Sequence, residues 1–131
     1  MTASTALTRI LYIEDDADIR TVAGFALKAV GGFTVESCAS GEEALARVAG
    51  FVPQLALLDV MMPGMDGPTT LQRLRALPGF ASLPAIFMTA KVQPQEVTRY
   101  EGLGSLGVIS KPFDPMTLSA SVREIWARRD D

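Results

Sequence analysis

Histidine is absent from the 131 residues, and cysteine occurs once, as Cys38. Without imidazole there is no histidine base and no histidine metal ligand, which removes many hydrolase and zinc designs. A single thiol excludes an internal disulfide framework and suits a reducing cytoplasm. No apolar stretch approaches the ~20 residues that a membrane helix requires. The opening MTASTALTRILYI is short, mildly polar and unlike a secretory leader. A basic block is missing too. Twelve Lys and Arg against 15 Asp and Glu give a formal net charge of −3, so nothing tracks a phosphate backbone. The expectation is a cytoplasmic chain that binds neither nucleic acid nor membrane. Its chemistry is left to carboxylates, lysines and hydroxyls.

A hydrophobic content of 48% can fill one core, and no linker or repeat interrupts the chain. One domain over 1–131, with a core of about 7–129, is expected. TRILYI (8–13) reads as a strand. Asp16 or Asp18 then opens a helix through ADIRTVAGFALKAVGG, with Ile19, Val22, Ala23, Ala26, Leu27 and Val30 at helical spacing. FTVESC is a strand. SGEEALARVAG is a helix capped by Ser40, with Glu43 three residues on, and Gly50 stops it. VPQLALLD, LPAIFMT and GVIS read as further strands. PTTLQRLRAL, PQEVTRYEGLG and DPMTLSASVREIWARR read as helices, the last with Asp114 as cap and Pro115 at its first position. Asp66 is a turn or cap residue. Near-continuous apolar strands alternating with helices predict an α/β fold with a parallel sheet covered on both faces.

Parallel strands point their carboxyl ends at one rim, where ligands sit. Glu14, Asp15 and Asp16 follow the first strand, Asp59 ends the third, Thr89 the fourth and Lys111 the fifth. Crowded carboxylates repel one another and call for positive charge. Oxygen ligands without His or Cys suit magnesium. With that ion, Asp59 is placed to be a nucleophile that accepts phosphorus, while Lys111 and Thr89 engage the phosphoryl oxygens. In the loop VMMPGMDG a backbone carbonyl just after Asp59 can serve as a metal ligand. Pro63 stiffens that loop, and Gly64 and Gly67 permit its turns.

These marks together resemble a receiver domain of two-component response regulators: Asp15-Asp16, the central Asp59 in LLDVMMPGMDG, Thr89 in FMTA, and Lys111-Pro112-Phe113. The likeness runs over essentially the whole chain. It implies a flavodoxin-like doubly wound (βα)5 sandwich with sheet order 2-1-3-4-5. It also implies that Asp59 takes a phosphoryl group from the histidine of a sensor kinase or phosphotransfer protein. Magnesium would be held by Asp16, by Asp15 through water, by Asp59 and by the Met61 carbonyl. Thr89 and Lys111 would contact the phosphoryl group. Base rates favour a trans Lys111-Pro112 bond, whereas the resemblance implies cis.

Two features depart from the family or vary within it. Where its activation turns an aromatic residue on strand five, this chain has Val108, so a signal would run through the loop after Thr89 and the face of helix 4, strand 5 and helix 5. Met61 and Lys91 occupy positions that tune phosphate lifetime. No effector-like segment follows WARRDD, so a stand-alone bacterial regulator is expected, with protein contact or self-association at that face as output. A pseudo-receiver scaffold is the alternative, kept open by Val108. A haloacid-dehalogenase-like phosphatase would want a second aspartate where Met61 stands.

Overall fold

A computed structural model describes residues 6–129. The remaining residues, and with them the two ends of the expected 1–131 unit, lie outside the described residues. Five strands alternate with five helices: β1 (Arg9–Ile13), α1 (Ala17–Phe25), β2 (Thr34–Cys38), α2 (Gly41–Phe51), β3 (Leu55–Asp59), α3 (Gly67–Arg75), β4 (Ala85–Thr89), α4 (Pro94–Gly102), β5 (Gly107–Ser110) and α5 (Leu118–Trp126). All neighbouring strands run parallel, in the order β2-β1-β3-β4-β5. This is the flavodoxin-like three-layer sandwich. Among the described residues no helix is long and apolar enough to cross a membrane.

Alternation along the strands divides the core in two. Ile10, Tyr12, Leu55, Leu57, Ile86, Met88 and Ile109 face α1 and α5, meeting Leu27, Leu118 and Val122. Leu11, Ile13, Ala56, Leu58, Ala85 and Phe87 face α2, α3 and α4, meeting Val48, Leu71, Leu74 and Tyr100. β3 and β4 are buried along their whole length, which is why LALLD and AIFMT carry no polar residue before their ends. Each buried Leu or Ile contributes about 1.5–3 kcal/mol relative to exposure, so register in these central strands is fixed strongly.

The helix starts follow their caps. Asp16 Oδ1 accepts from the N–H groups of Asp18 and Ile19 at 2.9 and 3.0 Å. Ser40 Oγ accepts from Glu43 N–H, and Glu43 reaches back to Ala39 N–H. Asp66 Oδ1 accepts from Thr69 N–H at 2.8 Å. The α1 segment continues past Phe25 as a π-helical turn over Ala26–Val30. Gly31 then passes so near α5 that a Cβ there would fall on Ser119 Oγ.

Two ends differ from the sequence reading. Gly50 does not stop α2, which runs on to Phe51. The Arg9 guanidinium donates to the Phe51 carbonyl and lies over its ring at 4.2 Å. A carbonyl and an aromatic face held in this way stabilise one further helical residue. Val52 closes the helix in the left-handed region at φ 53°. At the other end, Asp114 does not cap α5. Its carboxylate accepts from Met116 N–H at 2.8 Å and its carbonyl from Thr117 and Leu118 N–H, closing a separate turn before the helix begins at Leu118.

A β-branched residue at positive φ is strained by about 1–2 kcal/mol, while glycine adds a smaller entropic penalty. Val52 is exposed, so little packing would be lost on replacement. Val52→Gly is therefore expected to raise stability by about 0.5–1 kcal/mol in urea denaturation. A loss of similar size would show that the valine side chain holds the cap.

Candidate functional site

The chain passes from β1 outwards to β2 and returns across β1 to β3. The carboxyl ends of β1 and β3 are thus the point where strand order reverses, the place where open α/β sheets form a crevice. Glu14 follows β1 on the face shared by Ile10 and Tyr12. Asp59 ends β3 on that same face, and Lys111 follows β5 in step with Ile109. Lys111 Nζ stands 3.0 Å from Glu14 Oε1 and 3.2 Å from Asp59 Oδ1. Glu14 and Asp59 are buried, whereas Asp15 is exposed. Carboxylate oxygens of Glu14, Asp15 and Asp59 all lie within 4.8 Å of one another.

The acidic pair therefore falls one residue earlier than the sequence reading placed it. Asp16 is not a member of the carboxylate group, because its side chain caps α1. Glu14 takes that place. Its Oε2 accepts from Asp16 N–H at 3.2 Å, and Arg20 Nη1 donates to the carbonyls of Glu14 and Asp15 at 2.7 and 3.3 Å. The turn is thus pinned from both sides. The sequence reading placed Glu14 at this rim but gave it no role, and it did not single out Arg20. Period-two alternation through Ile10 and Tyr12 is the signal that would have given Glu14 its role.

Thr89 is buried at the end of β4, and its hydroxyl oxygen accepts from Lys91 N–H at 3.1 Å. It stands in step with Phe87, on the α4 side of the sheet. Lys111 N–H bonds the Thr89 carbonyl at 2.9 Å, and the Lys111-Pro112 bond is cis. Met61 leaves its thioether exposed, as Lys91 does its ammonium. Gly67 comes so near the carboxyl end of β3 that a Cβ would fall on the Asp59 carbonyl oxygen. Val108 is half-buried against the cluster that holds Phe87 and Tyr100. Tyr100 is itself buried, its ring 5.5 Å from that of Phe87.

Charge crowding shapes the site. Burial raises the Asp59 carboxyl above its ordinary range, and the nearby Lys111 ammonium only partly reverses this. Burial raises Glu14 as well, against the hydrogen bond from Lys111 and with the help of the Asp59 charge. Lys111 is also burdened by burial, yet its bond to Glu14 and the Asp59 charge hold it above the ordinary lysine range. When the three carboxylates are ionised, one ammonium cannot balance them. An oxygen-only donor set with excess negative charge fits a hard divalent ion such as magnesium.

Known proteins resemble this chain in sequence and fold. The response regulator receiver domain matches residues 10–123. Response regulator Rre1 of Synechocystis is 35% identical over 120 residues, 92% of this chain and 52% of its own. The DNA-binding response regulator MtrA of Mycobacterium tuberculosis is 36% identical over 127 residues, 97% of this chain and 54% of its own. The chain thus spans about half the length of these curated relatives. Among solved structures, chemotaxis protein CheY4 of Vibrio cholerae superposes with a TM-score of 0.82 at 28% identity, covering 92% of this chain and 99% of that one. A putative response regulator from Chloroflexus aurantiacus gives 0.80 at 30% identity, with coverages of 93% and 99%. The chain belongs to the response regulator receiver family, and its pocket of Glu14, Asp15 and Asp59 is consistent with a phosphoaccepting aspartate and magnesium coordination.

A carboxyl whose native pKa is raised binds more protons folded than unfolded, so stability falls as pH climbs from about 4 through the raised value. Asp59→Asn removes that loss. Without divalent cations it is expected to stabilise the fold by about 1 kcal/mol at neutral pH. The gain should shrink towards pH ~4. Urea midpoints across pH check this, and a gain that grows on acidification would contradict it.

Proposed function

We propose that Asp59 accepts a phosphoryl group from the phosphohistidine of a sensor histidine kinase or histidine phosphotransfer protein. The chain has no histidine of its own, so the donor imidazole comes from another protein. A carboxylate oxygen of Asp59 attacks phosphorus, the N–P bond breaks, and the imidazole nitrogen keeps the electron pair and takes a proton from solvent. The observation that carries this reading is Asp59 itself: a buried strand-end carboxylate 3.2 Å from Lys111 and grouped with two further acids.

Magnesium would be held by Asp15 and Asp59, by the Met61 carbonyl, and by Glu14 through water. When bound it screens the carboxylates and binds phosphoryl oxygens. Lys111 pairs with a further phosphoryl oxygen. The Thr89 hydroxyl leaves the Lys91 N–H and donates to another. The chain's own catalysis is limited to this transfer and to slow hydrolysis of the acyl phosphate. Exposed Met61 and Lys91 stand where they set the access of water.

Output runs by protein contact at the face of α4, β5 and α5. Val108 lacks a ring to report the movement of Thr89. The signal therefore passes from Thr89 through the loop that holds Lys91 into α4, which Tyr100 anchors on Phe87.

Intact-mass measurement after incubation with phosphoramidate tests the acceptor. One phosphoryl adduct is expected, dependent on magnesium and absent from Asp59→Asn. Equal labelling of the variant would assign the phosphate to another residue.

A further inference from the structure

Tyr12 is fully buried, and its hydroxyl has no hydrogen-bond partner among the described residues. It precedes Glu14 by two residues on β1, so both side chains project from the α1/α5 face of the sheet. Leu57 lies beside it on β3, one step below Asp59 on that same face. The charges that bear on the phenol are those of Glu14, Asp59, Arg20 and Asp16, all at the carboxyl rim. Burial and the nearby carboxylates hold the phenol far above its ordinary pKa, so it remains a donor. Phenylalanine would fill the same space without an orphaned polar atom. A buried hydroxyl beneath an acidic pocket gains stability from any acceptor that a state of the protein brings to it.

Glu14 supplies that state. Its two oxygens are served from the rim, by Lys111 Nζ at 3.0 Å and by Asp16 N–H at 3.2 Å. The same ammonium is shared with Asp59. A phosphoryl group on Asp59 draws Lys111 towards it and removes the ammonium's hydrogen bond from the buried Glu14 carboxylate. We propose that the Tyr12 hydroxyl is a positioning donor, which hydrogen-bonds the Glu14 carboxylate when Lys111 turns to the phosphoryl group. The inference rests on the phosphoacceptor reading above. It makes Tyr12 a residue that stabilises the loaded pocket from below while leaving the nucleophile untouched.

Tyr100 is the other of the chain's two tyrosines. In a Tyr100→Phe background, Raman spectroscopy therefore reads Tyr12 alone, and the tyrosine Fermi doublet distinguishes a donating phenol from a free one. Magnesium chloride with beryllium fluoride serves as the phosphoryl stand-in. The doublet is expected to change from the free to the donating pattern on loading. In parallel, Tyr12→Phe should still carry its phosphoryl adduct on Asp59 and be no less stable without metal. Its apparent affinity for magnesium and beryllium fluoride, read from thermal shift, should fall about threefold to tenfold, the worth of one hydrogen bond. An unchanged doublet, or the same affinity in Tyr12→Phe, overturns the proposal. The spectroscopic result stands even if the variant folds poorly. Failure of wild type to label on Asp59 would instead overturn the underlying phosphoacceptor reading, and the role of Tyr12 with it.

Discussion

The interaction on which the site depends is the repulsion between carboxylates that the sheet forces together. β1 and β3 are hydrogen-bonded neighbours, so the residues at their carboxyl ends cannot separate without breaking the ladder. Glu14 and Asp59 are held in a buried rim with Asp15 beside them, and Lys111 arrives from β5 to bridge the first two. The apolar strands fix this geometry, and the energy of the core sustains it. A pocket strained by like charge is ready for a cation and for a phosphoryl group whose bonds the cation and Lys111 can share. Stability and function pull in opposite directions here, as at many sites where the fold supports groups that water would prefer to keep apart.

Each layer contributes a separate constraint. The α1/α5 layer closes over Tyr12 and Glu14, and Arg20 from α1 holds the carbonyls of the acidic turn. On the opposite face, Thr89 is bonded to the loop that leads into α4, and Tyr100 joins that helix to β4 through Phe87. On the proposed reading, a phosphoryl group at Asp59 would act on both faces: through Lys111 and Glu14 on one, and through Thr89 and α4 on the other. With Val108 on β5, that proposed second route would depend on helix packing, since the strand offers no ring there.

Much of the architecture was legible in the sequence because apolar strands and helical spacing are strong, repeated signals. Strand ends sufficed to bring Asp59 and Lys111 to one edge, where they lie 3.2 Å apart. Three consecutive acids after β1 were harder to assign. Helix capping and pocket formation compete for the same residue types, and Asp16 carries the capping signal while also looking like half of an acidic pair. Glycine at position 50 suggested a stop, but a distant cation, Arg9, supports the helix beyond it. Such long-range contacts leave no local mark. The orphaned hydroxyl of Tyr12 is equally invisible in sequence, where the residue reads as one more apolar strand position.

The assignment of the pocket to Glu14, Asp15 and Asp59, with Asp16 outside it, is tested most directly by magnesium titration. Calorimetry on wild type, Asp15→Asn and Asp16→Asn separates the two aspartates. Asp15→Asn should weaken magnesium binding by about tenfold or more, the effect of losing a charged ligand. Asp16→Asn should bind as wild type does, because asparagine still caps a helix. Loss of binding in Asp16→Asn with retention in Asp15→Asn would contradict the account.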